Sequence, residues 1–339
     1  MRVYLLKRFL LIPVTLLGIT FITFLVMKLA PGDPAQVMRA QAAGGNVQAT
    51  ETNKKAMEKW REERHLDKPL MTQYGYWLWD LVRLDLGRSF LPPREKVSTV
   101  ILDRMWITII LNLIAFVLIY VIAIPVGILG AARQFTIWDR LTTIIPFILY
   151  SLPSFWVGTL MIAYLTGKDS FIARWTGIVL PTTSYYPSSI GEVGFWKWTG
   201  EWARHLALPV ICETYAGFAF LSRQMRSSLL EQIRQDFVRT ARAKGLSERV
   251  VILRHATRNA LIPMITLFGS LLPFLLAGSV IIEYLFSIPG MGQLFFESVL
   301  ERDYHMLMGI ETVSALLTLL GILISDVLYV VANPTISYE

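Results

Sequence analysis

The run WITIILNLIAFVLIYVIAIPVGILGAA, Trp106–Ala132, holds twenty-seven residues without one Lys, Arg, Asp or Glu. A bilayer core about 30 Å thick is crossed by roughly 20 apolar helical residues, so this stretch is long enough to span it with some tilt. Phe9–Met27, Leu141–Gly167 and Asn259–Ile282 are free of formal charge in the same way. Leu206–Ser222 is interrupted only by Glu213, and Leu307–Ala332 only by Glu311 and Asp326. The expectation is an all-α integral membrane protein with six transmembrane helices. Composition agrees: of 339 residues, 54% are hydrophobic and 17% charged, with a mean hydropathy of +0.50. Disorder, a collagen-like repeat and a disulfide scaffold are all excluded, the last because Cys212 is the single cysteine.

Arg2, Lys7 and Arg8 before the first apolar run imitate a secretory signal. The run is too long for one, and Leu29-Ala30-Pro31-Gly32-Asp33-Pro34 follows in place of a small-residue cleavage site, so an uncleaved anchor is expected. Orientation follows from the short loops, because positive segments resist translocation. The N-terminal segment and the loops after spans two and four carry fourteen Lys/Arg, against five on the opposite side: Lys168, Arg174, Lys197, Arg204 and Arg302. Both termini are therefore expected in the cytoplasm.

The chain divides into residues 1–30, the first helix; 31–105, an extracytoplasmic subdomain; and 106–339, a core of helices two to six with a cytoplasmic loop at 223–262. The 31–105 segment balances twelve Lys/Arg with ten Asp/Glu. Mixed charges from Glu51 to Arg64 fall at helical spacings, with pairs such as Glu51/Lys55. A second helix is expected after Pro69, with Leu70, Tyr74, Trp77, Leu78, Leu81 and Leu84 on one face. Two roles are open for this part, a cap on the outer ends of the spans or a docking surface for an external partner.

Catalytic signatures are missing. Gly167-Lys168 runs into Asp169 and makes no phosphate loop, His65, His205, His255 and His305 are scattered, and no Gly-x-Ser-x-Gly elbow occurs. Any ATP that drives the protein must be bound by another chain.

Residues 223–262 carry nine Lys/Arg against Glu231, Asp236 and Glu248, most of the chain's net charge of +7. Attraction to anionic headgroups accounts for the charge but not for its pattern. Ser227-Ser228 reads as a helix start, Leu229, Leu230 and Ile233 as an apolar stripe, and Phe237, Val238 and Ala241 as its continuation between arginines. Gly245 supplies a left-handed stop, and Ser247-Glu248 opens the next helix. A short amphipathic helix is thus expected below the membrane, presenting Thr240, Ala241 and Ala243 to a groove on a partner.

The run Asp236-Phe237-Val238-Arg239-Thr240-Ala241-Arg242-Ala243-Lys244-Gly245-Leu246, with Arg254-His255-Ala256-Thr257-Arg258-Asn259-Ala260-Leu261-Ile262-Pro263 behind it, resembles the coupling loop of permease subunits of dipeptide/oligopeptide/nickel-class ABC importers. Arg239-Thr240-Ala241 stand where the general importer loop has Glu-Ala-Ala, and Pro263 lies further from the glycine; both departures are usual in the peptide class. The resemblance covers nearly the whole chain. It includes Ala30-Pro31-Gly32-Asp33-Pro34, Leu66-Asp67-Lys68-Pro69, Asp85-Leu86-Gly87-Arg88-Ser89, Phe286-Ser287-Ile288-Pro289-Gly290-Met291-Gly292, Arg302-Asp303-Tyr304 and Asp326-Val327-Leu328-Tyr329 with Asn333-Pro334. The long first external segment resembles the first of the two permeases in such systems.

The resemblance implies the type I ABC importer permease fold in a bacterial or archaeal cytoplasmic membrane. It implies a second homologous permease, two cytoplasmic ATPases that bind ATP and Mg, and an extracytoplasmic binding protein, with no catalytic residue, cofactor or metal in this chain. Phe237, Arg239, Thr240, Ala241, Ala243, Lys244 and Gly245 are the expected ATPase contact, and a bulky residue at Ala241 is expected to uncouple hydrolysis from uptake. Small peptides are the implied cargo, with nickel complexes, glutathione and oligosaccharides as class alternatives. A self-contained secondary carrier is disfavoured by the absence of a visible inverted repeat.

In the last span, Glu311, Ser314, Thr318, Gly321 and Ser325 put a small, polar stripe on one helix face, and Glu311, Ser314 and Thr318 are candidates for the translocation path. Gly269, Pro273 and Ala277 do likewise in the fifth; close helix packing is the favoured reading of the small residues in both. Pro125, Pro146, Pro153, Pro209, Pro263 and Pro273 mark kinks or hinges, which spacing does not separate.

Overall fold

The computed structural model describes residues 2–29, 58, 59, 62, 65–90, 93–181, 194–267, 275 and 278–332, with side chains between residues 8 and 324. Among the described residues the secondary structure is helical apart from two isolated bridges, Arg88 with Lys96 and Thr166 with Leu180. Helix α1 is Arg2–Leu29, α2 Leu70–Val82, α3 Val97–Ala132, α4 Ile137–Ser151, α5 Ser154–Leu165, α6 Phe171–Thr176 and α7 Phe195–Ile233. Then come α8 Asp236–Ala243, α9 Glu248–Val250, a π-helical turn Val251–Ala256, α10 Thr257–Ala260 and α11 Ile262–Leu267. The chain continues with α12 Val280–Leu285, α13 Met291–Glu301 and α14 Tyr304–Ala332.

Four helices among these residues are long and apolar enough to cross a membrane: α1, α3, α7 and α14. The α4–α5 pair makes a fifth crossing if taken as one bent span. The other expected span, 259–282, lies partly outside the described residues, and so do Gly269, Pro273, Ala277 and most of the charged run 51–64. Helices overrun the uncharged stretches, because charge counting finds the part that lipid tolerates and not the helix ends. Thus α3 begins at Val97, inside the segment assigned to the external subdomain. Helix α7 runs on to Ile233 through Ser227-Ser228, which cap nothing; Ser228 Oγ instead donates to the Ala260 carbonyl at 3.0 Å.

The expected third span is not straight: α4 and α5 meet at 93°. Steric restriction ahead of Pro153 holds Leu152 extended (φ −90°, ψ 128°), and the proline supplies no N–H to carry a helix through. The Tyr215 hydroxyl of α7 donates to the Leu152 carbonyl left free at the break. By contrast, Pro125, Pro146 and Pro209 lie inside continuous helices. Proline alone therefore did not mark the bend; Pro153 did so at a helix start.

Helix α2 buries Trp77 against Phe24 and Met308, with Tyr74, Leu78 and Leu81 around them. Tyr74 Oη lies 3.0 Å from Thr20 Oγ1, which ties α2 to α1. Leu70 and Leu84 leave the expected face. Both are exposed, and Leu84 sits beyond the helix end with φ 61°.

Two buried carboxylates fasten helix ends to one another. Asp303 is 2% exposed; it accepts from Ser89 Oγ, from Phe90 N at 3.1 Å and from Met306 N at 3.2 Å. It therefore caps α14 and holds the Asp85–Ser89 turn at once, joining two motifs that are far apart in sequence. Replacing Asp303 by alanine strands these donors and is expected to cost about 2–4 kcal/mol. The thermal midpoint in detergent should fall, and the 85–90 turn should become protease-sensitive. An unchanged midpoint is incompatible with this role.

Glu283 is fully buried at the other fastening. It accepts from Thr108 Oγ1 of α3 at 2.9 Å, and from Gly292 N and Gln293 N in the first turn of α13 at 2.7 and 3.1 Å. The oriented amides at a helix start favour an anion, so the carboxylate is satisfied without a basic partner. Gly292 is required by space, since a Cβ there would lie 2.7 Å from the Val280 backbone nitrogen.

Candidate functional site

The basic segment after α7 folds against the bundle. Gln235 is extended (φ −74°, ψ 153°), Asp236 opens α8, and Lys244 with Gly245 closes it, the glycine at φ 76°. No atom lies within 4 Å of a Cβ built at Gly245, so backbone conformation and not space asks for glycine there. Arg242 then clasps Glu248 through Nε–Oε2 and Nη2–Oε1 contacts of 3.0 and 2.6 Å, fixing α8 relative to α9. The guanidinium beside it holds the Glu248 carboxyl below the usual glutamate range.

One face of α8 turns inward. Val238 and Ala241 are buried among Met225, Leu229, Val251, Ile252 and Ala256. Full burial of a valine of this kind contributes about 2 kcal/mol, so the helix is anchored by its own bundle. The opposite face presents Phe237, Arg239, Thr240, Ala243, Lys244 and Gly245, all exposed. Ala241 must therefore be corrected: it was expected at the partner contact, but the inward stripe formed with Val238 hides it. In the segment that follows α8, Leu246, Val250 and Leu253 are exposed apolar side chains that the reading of the sequence passed over. Their spacing of three to four residues was a visible helical signal.

Elsewhere, Glu311, Ser314 and Thr318 lie half-buried along α14, which packs on α1, α3 and α13. The structure brings these three onto one helix. Glu213 of α7 is half-buried with Oε1 unpartnered among the described residues. Within those residues no group of His, Cys, Asp and Glu is arranged to hold a metal ion.

Comparison with known proteins agrees with this architecture. The family model described as "Binding-protein-dependent transport system inner membrane component" matches residues 123–338, and the N-terminal model of the same systems matches residues 1–112. The chain is 35% identical over 338 residues to the oligopeptide transport system permease protein AppB of Bacillus subtilis, covering 100% of both chains. It is 31% identical to the dipeptide transport system permease protein DppB of the same organism, covering 98% of this chain and 97% of the relative. Its fold is similar to a chain of the inward-facing MetNI methionine ABC transporter, with a TM-score of 0.53 and 17% identity over 70% of this chain and 97% of that one. With long apolar helices and matches along almost its entire length, this chain belongs to the family of inner membrane permease components of binding-protein-dependent transport systems.

Proposed function

We propose that this chain is the first of two homologous permeases in an ATP-driven importer of short peptides, with both termini in the cytoplasm. Two cytoplasmic ATPases bind ATP and Mg, and an extracytoplasmic binding protein delivers the cargo. The observation that carries this reading is the two-sided build of α8, held to its own bundle by Val238 and Ala241 while Phe237, Arg239, Thr240, Ala243, Lys244 and Gly245 face outward. A helix anchored on one side and open on the other transmits a push from a soluble partner into the bundle without parting from it. The peptide cargo is supported by the names of the Bacillus relatives, an oligopeptide and a dipeptide permease. Residues 31–105 form the external subdomain, and Glu311, Ser314 and Thr318 line the path.

The test is reconstitution of this permease with its companion permease, ATPases and binding protein in proteoliposomes, offered labelled di- to pentapeptides. Nickel complexes, glutathione and oligosaccharides serve as competitors. ATP-dependent peptide accumulation that none of the competitors displaces is the expected outcome. Accumulation by this chain alone, or without ATP, overturns the reading in favour of a secondary carrier, and displacement by one competitor reassigns the cargo.

A further inference from the structure

Three helices converge on one point near the cytoplasmic end of the bundle. Helix α3 offers no side chain there: a Cβ at Gly127 would lie 2.7 Å from Met225 Cβ and from the Ser222 carbonyl, and one at Gly130 would lie 2.6 Å from Thr142 Oγ1 and 3.3 Å from Arg226 Cδ. Helices α4 and α7 therefore close directly onto α3. At this junction Asp139, in the first turn of α4, accepts from Arg226 Nε of α7 at 2.7 Å through Oδ1. Its Oδ2 accepts from Phe135 N at 3.0 Å, in the turn between α3 and α4. The Asp139 side chain is 10% exposed and that of Arg226 26%. Moving either helix alone would strand a buried carboxylate, at a cost far above that of parting an exposed pair.

Arg226 lies seven residues before the end of α7 at Ile233, about 10 Å along the axis. Only Arg234 and Gln235 separate that end from α8. On the other side of the pair, α4 leads to the 93° bend before α5. We infer that the Asp139–Arg226 pair is the joint through which displacement of α8 by an ATPase reaches the bent α4–α5 span. The inference rests on the importer reading. Both are positioning residues, since neither touches cargo or nucleotide. Rigid transfer through α7 alone would move the helix that carries the docking site; the ion pair makes α4 move with it, and the extended Leu152-Pro153 break is where that motion is absorbed.

The experiment uses the assembled transporter in proteoliposomes, with uptake of a labelled dipeptide and ATP hydrolysis measured on the same preparation. D139N and R226Q are expected to hydrolyse ATP near the wild-type rate while uptake per ATP falls about tenfold. D139N/R226Q should be no worse than either single variant, because the two side chains act as a unit. R226K, which keeps the charge, should stay within about threefold of wild type. A purely structural role would lower uptake and hydrolysis together and leave their ratio unchanged, and that result overturns the joint. Losses that multiply in the double variant overturn it as well. Should R226Q fail to accumulate because Asp139 is left unpaired, the double variant carries the same readout without a stranded charge. Absence of uptake by the wild-type assembly overturns the importer reading and the joint with it, whereas intact wild-type uptake with unchanged variants overturns the joint alone.

Discussion

Replacing Glu283 by leucine is expected to remove most of the protein from the membrane fraction. The carboxylate is the acceptor for Thr108 Oγ1, Gly292 N and Gln293 N in a site with no exposure to solvent. Leucine supplies no acceptor, so two backbone amides and a hydroxyl lose their partner where water does not replace it. At about 1–3 kcal/mol for each stranded group, partly relieved by relaxation, the loss is on the order of 3–5 kcal/mol. That is a large share of the stability of an ordinary domain, about 5–15 kcal/mol. The Gln variant at Glu283 separates the causes. Its amide oxygen still accepts from the α13 amides, so E283Q should accumulate far better than E283L. Immunoblots of membrane fractions, with thermal unfolding of the purified protein, decide the matter. Equal accumulation of E283L and wild type would leave the fastening without energetic weight.

The second large effect divides the two faces of α8. Phenylalanine at Ala241 must enter a space already filled by Leu229, Val251 and Ile252, and overpacking of this kind costs about 1–3 kcal/mol or more. A241F is therefore expected to lose protein, not merely coupling. Tryptophan at Ala243 or glutamate at Arg239 meets no such wall, since both positions are exposed. Both variants should reach the membrane at wild-type levels while ATP-driven uptake in the reconstituted transporter falls at least about tenfold, the scale of one lost anchor at an interface. Wild-type uptake by A243W would exclude this face as the ATPase contact.

The spans were legible because lipid imposes a one-dimensional rule: a stretch that crosses cannot hold many charges, and that rule is written in the local sequence. The stop and the apolar face of α8 were legible for a similar reason, since Gly245 and the Val238/Ala241 spacing are local signals; its start was not, because Ser227-Ser228, read as that start, lie inside α7. The direction that face looks was not. Val238 and Ala241 form a stripe on any helical wheel, yet the stripe is satisfied equally by a partner's groove or by the chain's own core. Only Met225, Leu229 and Val251, brought in from α7 and the π-helical turn, decided it.

The same limit explains the motifs that carried the resemblance without an account of their own. Asp85–Ser89 and Arg302–Tyr304 were separate strings until Asp303 was seen to hold Ser89 and Phe90. Phe286–Gly292 became intelligible once Glu283 was found at the start of α13 with Thr108 of α3 against it. Asp139 and Arg226 gave no sign of each other across 87 residues. What the sequence by itself determined is the membrane class, the apolar stretches, the basic segment with its short amphipathic helix and, by resemblance, the family. What only the tertiary structure decided is which polar groups meet, because burial and hydrogen bonding are relations between distant segments, whereas hydropathy and helix signals belong to each segment alone.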